Sequence, residues 1–142
     1  MKSQNRTLCV RTEEKQKLLN VTPLVQEAVG ASGIHEGIVG IYSLHTTAAV
    51  LISEFQAALN EDALEFLKEA VDADHPYKHN CPDYSDCDRR NAASHLRSML
   101  LSHSVVLPVT GGKPILGEFQ SVILAELDGP RDRKLQIQIL GV

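Results

Sequence analysis

Lys134-Leu135-Gln136-Ile137-Gln138-Ile139 alternates polar and apolar side chains without a break. Successive side chains of an extended strand leave on opposite faces, so this run predicts a strand with one wet face and one face in a core. Moving backward, Gly129-Pro130-Arg131-Asp132 is a turn signal, and Gln120 to Leu127 before it is a further apolar strand. Ser104-Val105-Val106-Leu107-Pro108-Val109 leads through Thr110-Gly111-Gly112-Lys113-Pro114, a hairpin-type turn, into Ile115-Leu116. The last third of the chain therefore reads as strand throughout.

The first half reads as strand, strand, helix, strand, strand, helix. Thr7 to Thr12 and Lys17 to Val21 are short strand candidates on either side of a polar turn. Thr22-Pro23 opens a helix, Thr as the cap and Pro in the first turn, and Gly30 with Gly33 stops it. Glu36 to Leu44 and Ala48 to Ser53 are strands expected to pair as a hairpin through His45-Thr46-Thr47. Asn60-Glu61-Asp62 starts a second helix, whose apolar side is Ala63, Leu64, Leu67, Ala70 and Val71. Periodicity vanishes between Asp72 and Arg90, a long irregular stretch of the kind that is usually functional. Asn91 then caps a third helix, with Ala92, Leu96, Met99 and Leu100 expected on its core side. About seven strands in largely antiparallel order with about three helices predict an α+β fold, a two-layer β-sandwich.

The 142 residues are the length of one ordinary domain, and residues 1–142 are expected to form one. Hydrophobic residues make up 43% and charged residues 23%, a balance that argues against disorder. The net charge is −4 and the 14 basic residues are spread out, which argues against a nucleic-acid partner. No run approaches the ~18 apolar residues of a membrane span, and no signal-peptide pattern opens the chain, so a cytoplasmic protein without a membrane partner is expected. Cys9, Cys81 and Cys87 form no disulfide framework; Cys81 and Cys87 are loop residues expected as free thiols in a reducing compartment.

Histidine is the residue type with most chemistry to offer. His45 lies at a strand end, His79 in the irregular stretch and His95 on the following helix. Three imidazoles converging from three elements would make an open zinc-type site with a fourth position free. Against this, their spacing matches no local zinc signature, and six ordinary histidines would need no such site. His75 and His79 are four apart, but Pro76 between them opposes a helix; Cys81 and Cys87 lack the close spacing of structural sites. Gln120 and Glu126 share strand parity, which would aim both at one face. Glu126 is then a general base or the partner of a buried Arg, and Glu54, ending an apolar strand, is either a cavity group or a solvated charge. Arg131 and Arg133 around the turn, with Arg97 on the helix of His95, are candidates for phosphate oxygens, unless they pair with acids. The usual nucleotide cradles are absent.

Several ordered blocks resemble the YjbQ family. They are His45-Thr46-Thr47-Ala48 with Glu54; Tyr77-Lys78-His79-Asn80; Asn91-Ala92-Ala93-Ser94-His95-Leu96; Ser104 to Val109 with Gly112 and Leu116-Gly117-Glu118-Phe119-Gln120; and Glu126-Leu127-Asp128-Gly129-Pro130-Arg131 with Arg133. The resemblance implies an α+β sandwich assembled as a homotrimer. It implies a divalent metal ion, zinc by ligand type, held by His45, His79 and His95. It also implies an enzyme for a small phosphorylated substrate, with a secondary thiamine-phosphate synthase activity that joins a pyrimidine diphosphate to a thiazole phosphate. Glu54, Gln120 and Glu126 would then orient substrate or move a proton, and Arg97, Arg131 and Arg133 would hold phosphate. The alternative is a non-catalytic sensor of a small anionic metabolite using the same pocket. The chain departs from the family where Glu118-Phe119 stands for the usual Thr-Trp, which removes an indole donor and adds a charge.

Overall fold

The computed structural model describes Met1–Val142. The alternating run at the C-terminus lies in β8 (Asp132–Gly141), an interior strand of a five-stranded antiparallel sheet. On one side it pairs with β1 (Lys2–Arg11), on the other with β3 (Glu36–Ser43). Beyond β3 come β5 (Ser104–Thr110) and the two-residue β6 (Lys113–Pro114), giving the order β1-β8-β3-β5-β6. Three further strands, β2 (Lys17–Asn20), β7 (Ser121–Glu126) and β4 (Ala48–Ser53), form a second antiparallel sheet in the order β2-β7-β4. The α+β sandwich is thus as expected, with eight strands rather than about seven.

Its core forms where the two sheets face each other. Leu135, Ile137 and Ile139 of β8 meet Val39 and Ile41 of β3, Val50 of β4, and Val122 and Leu124 of β7. Helix α1 (Thr22–Ser32) adds Val25, Ala28 and Val29 to the same cluster and ends at Gly33, whose φ of 69° is the left-handed conformation glycine adopts without cost. The back of the three-stranded sheet is not wet. Ala49, Ile123 and Ala125 pack there with Leu67 of α2 (Ala57–Ala70), which makes that sheet the middle layer of three. This is why β4 and β7 are apolar on both faces while β8 alternates. The outer face of the larger sheet lacks such a cover, and Ile38, Tyr42 and Val106 are exposed on it.

Several local expectations need correction. β3 and β4 are not hairpin partners: they belong to different sheets, and His45-Thr46-Thr47 carries the chain from one to the other. Apolar strands specify burial, not which neighbour buries them. Thr22 does not cap α1, because its hydroxyl accepts the Val122 amide at 2.8 Å. Helix α2 begins earlier than Asn60, capped by Gln56, whose Oε1 accepts the Leu59 amide at 2.7 Å. Ile115 and Leu116 leave the hairpin as coil.

The largest correction concerns α3 (Ala92–Leu100). Its buried side is Ala92, Ala93, Ser94, Arg97 and Ser98, whereas Met99 is 68% exposed and Leu100 59%. The helix turns its polar stripe inward because those side chains satisfy backbone carbonyls of neighbouring elements. The Ser94 hydroxyl donates to Leu127 O at 2.7 Å, and the Ser98 hydroxyl to Ala48 O at 2.9 Å. Hydrogen-bonding need outweighs the apolar count at this position.

Candidate functional site

Three segments meet at one end of the sandwich: the 44–47 crossover, the Glu126–Asp132 connection, and the irregular stretch that runs into α3. Underneath lies a buried ion pair. Glu126 and Arg133 are 0% and 1% exposed, and the guanidinium grips both carboxylate oxygens through Nε, at 2.9 and 3.0 Å, and through a terminal nitrogen. Thr12 donates to the same carboxylate at 2.6 Å and the Asp128 amide at 3.2 Å. Arg133 reaches on to Thr47, bonding both its carbonyl and its hydroxyl at 3.0 Å. Both carboxylate oxygens and two of the three guanidinium nitrogens are bonded within the chain, so the pair is the pin that holds the crossover against β7 and β8.

One layer further out stands Asp128, also buried. It accepts from Lys15, from Asn91 Nδ2 at 2.7 Å and from Arg131 at 2.6 Å, while Arg131 Nε bonds the Asp128 carbonyl at 2.8 Å. Asn91 precedes α3, and its side chain joins this acid instead of capping the helix; Asn80 Oδ1 takes the Ala92 amide at 3.0 Å in its place. A Cβ on Gly129 would lie 2.2 Å from the Glu14 carbonyl oxygen, so only glycine fits this turn.

The outermost layer holds the histidines. His79, in a single 3-10 turn (Lys78–Asn80), and His95 on α3 place their ring centroids 4.8 Å apart at 62°, an edge-to-face pair. They border a groove of about 350 Å³ together with Tyr77, Lys78, Ala92, Leu96 and Met99. The outward apolar side of α3 thus lines this groove. Burial, and then the neighbouring His79, hold His95 below its ordinary pKa of 6.5, with Asp128 and a hydrogen bond to the Thr46 backbone acting the other way. His45 is also lowered, first by burial and then by Arg133, against the opposing pull of Glu126. Its Nε2 accepts the Lys134 amide at 2.8 Å.

The sequence candidates therefore separate. His79 and His95 come together, with Arg131 nearby through the Asp128–Asn91 link. His45 is bound to the β8 backbone, and no group of three or more His, Cys, Asp or Glu side chains is arranged to hold a metal ion. Within one chain the three imidazoles do not fit a three-histidine ion site. Arg97 is buried with its guanidinium on the Leu67 and Val71 carbonyls, at 3.3 and 2.8 Å, closing the end of α2. Gln120 and Glu126 do not share a face: Gln120 precedes β7, exposed, and its Oε1 accepts the Gly117 amide at 2.8 Å. Glu54 is exposed in the turn after β4. Cys81 and Cys87 are free thiols, as is Cys9. Sequence reasoning missed Thr12, Lys15, Thr47, Asn91 and Asp128 as members of the network. Asp128, two residues past Glu126 at the end of an apolar strand, carried the one legible signal.

Comparison with known proteins gives this end of the molecule its relatives. The model of a family described as UPF0047 protein YjbQ-like matches residues 6–142. A UPF0047 protein of Methanothermobacter thermautotrophicus is 38% identical over 134 residues, 94% of this chain and 90% of that one. A crystal structure of a YbjQ-like protein of unknown function from Sulfolobus solfataricus P2 superposes with a TM-score of 0.91 at 36% identity, covering 99% of both chains. A hypothetical protein from Aeropyrum pernix K1 gives a TM-score of 0.88 at 36% identity, covering 98% of this chain and 99% of its own. With the match spanning nearly its full length and the fold shared throughout, the chain belongs to the YjbQ-like UPF0047 family.

Proposed function

We propose that the protein is an enzyme acting on a small phosphorylated substrate, with His79 and His95 as its reacting pair. The observation that carries this reading is the pair itself: two half-buried imidazoles in edge-to-face contact, bordering a groove that Lys78 also lines. His95, held below its ordinary value, is neutral near pH 7 and accepts a substrate proton or hydrogen bond. His79 supplies an N–H to a departing phosphate oxygen. The apolar wall of Leu96 and Met99 receives the part of the substrate that carries no charge.

The specific reaction we propose is the secondary thiamine-phosphate synthase activity suggested by the family resemblance. The C–O bond of the pyrimidine diphosphate breaks, its electron pair leaves with diphosphate, and the thiazole nitrogen lone pair forms the new C–N bond. Positioning and stabilisation of the leaving charge are the chief demands of such chemistry. The homotrimer and the cytoplasmic setting belong to the same proposal. Exposed Ile38, Tyr42 and Val106 offer an apolar face on which copies would pack, and no helix is long and apolar enough to cross a membrane.

The proposed zinc-type ion would find His79 and His95 as ligands and would need His45 released from the Lys134 amide. A zinc titration of the wild type and of His45→Ala separates the cases, since equal affinity leaves His45 out of the ligand set. The decisive test is turnover of hydroxymethylpyrimidine diphosphate with thiazole phosphate, with and without added divalent ions. Product that disappears in His95→Gln supports the enzyme. Tight ligand binding without product supports a sensor of a small anionic metabolite.

A further inference from the structure

We propose that Arg89 and Arg131 form a two-armed clamp for the phosphoryl end of the ligand, across the Gly129–Pro130 turn. This inference rests on the reading that the ligand is phosphorylated, but it concerns a separate cavity and different residues. A cavity of about 260 Å³ is lined by Arg89, Asp128, Gly129, Pro130 and Arg131. That is smaller than the ~300–1,000 Å³ of pockets that enclose whole ligands, so it suits a charged end group.

Two of the three arginines that sequence favoured for this task are committed elsewhere. Arg97 is bonded to backbone carbonyls and Arg133 to Glu126 and Thr47. Arg131 is only half committed: its Nε and one terminal nitrogen hold Asp128, which leaves the other terminal nitrogen without a protein partner. Those two bonds fix the guanidinium plane before any ligand arrives, which lowers the ordering cost of binding. Arg89 faces the same cavity from the irregular stretch, exposed, and makes no ion pair within the chain.

Two features fix the far arm. Arg90 stands at φ 53°, the one non-glycine residue with positive φ, a conformation that costs energy and persists only where the surroundings impose it. Asn91 next to it is anchored on Asp128 at 2.7 Å. The strained residue thus connects an anchored point to Arg89. The one acid in the cavity is no obstacle, because the Asp128 carboxylate is already held by two cations, Lys15 and Arg131, and by the Asn91 amide. Gly129 keeps side-chain bulk out of the turn below the clamp. Guanidinium forks match tetrahedral phosphate oxygens in geometry as well as in charge.

Inorganic pyrophosphate is the probe, with binding measured by calorimetry at low salt on the full chain. The wild type is expected to bind it, and Arg89→Ala to bind about 10-fold more weakly or worse, as for loss of a charge-assisted hydrogen bond. Arg89→Lys, which keeps the charge and loses the fork, should recover only part of that affinity. Lys113→Ala, at an exposed cation on the far hairpin, should bind as the wild type does. Arg89 is exposed, so its removal is not expected to unfold the protein, and a thermal melt of each variant checks this. Equal affinity in Arg89→Ala and wild type would overturn the clamp, as would absence of wild-type binding at millimolar pyrophosphate. Loss of pyrophosphate binding in Arg89→Ala, in a protein that forms no product, would support the clamp while ending the enzyme reading. Turnover that survives Arg89→Ala unchanged would do the reverse.

Discussion

Two pairs of titratable groups at the same end of the molecule behave in opposite ways. Glu126 and Arg133 are fully buried and bonded to each other, with Thr12 and the Asp128 amide on the carboxylate and Thr47 on the guanidinium. His79 and His95 are half exposed, stand edge to face on a groove, and make few bonds to the scaffold, His79 Nδ1 lying 3.5 Å from Asn80 Oδ1 and His95 bonding the Thr46 backbone. A charge whose partners are complete is a fixed part of the scaffold, and a group with capacity left over can meet a ligand. Sequence candidates for the site fall on both sides of that line, and only bonding partners separate them.

The contrast is open to direct attack. Arg133→Met should have the largest effect, destabilising the fold by about 3–5 kcal/mol in urea denaturation, because it leaves the Glu126 carboxylate buried without its partner. A loss below about 1 kcal/mol would show that the pair is wetter than its burial indicates. His95→Gln should do the opposite: stability changes by about 1 kcal/mol, while turnover of the proposed substrate falls about 100-fold or more. Equal losses of stability and activity in that variant would place His95 with the scaffold.

Acid gives a smaller and broader effect. His45 and His95 both have folded-state pKa values below the unfolded 6.5, so the unfolded chain takes up these protons first. Their contribution to stability is therefore complete above about pH 6.5 and declines as pH falls below it. His45 adds a structural reason, since a protonated ring cannot accept the Lys134 amide. Melting temperatures between pH 7 and 5 should fall, and less steeply in a His45→Ala, His95→Gln double variant; an unchanged slope would remove these two rings as the cause. Met99→Ser should have the smallest effect, within about 0.5 kcal/mol, because this side chain borders the groove and not the core. Ser98→Val on the buried side of the same helix should cost more, leaving the Ala48 carbonyl without its donor.

Much of the fold was legible in residue order. Strict alternation at Leu135, Ile137 and Ile139 marked an interior strand of the larger sheet with one face in the core, and Gly33 and Gly111-Gly112 marked a helix end and a hairpin turn, all three with positive φ. The site was legible only in part. Of nine candidate residues, His79, His95 and Arg131 gather around α3 and its first turn, while Arg97 and Arg133 are bound to scaffold groups far away in sequence, such as Thr47, 86 positions from Arg133. Spacing along a chain does not record such partners, and neither does the apolar count of α3, which pointed to the wrong face.

What residue order determined by itself was periodicity and termination: which segments extend, which coil, and which strands carry one apolar face or two. These are local matters, set by backbone geometry and by the alternation of side chains within a few residues. Tertiary structure alone decided which sheet each strand joined, which face of α3 turned inward, and which charged side chains were left with a free bond. Those outcomes depend on partners more than thirty residues away, for carbonyls that burial forces to find a donor and for guanidinium groups that cannot enter a core unpaired.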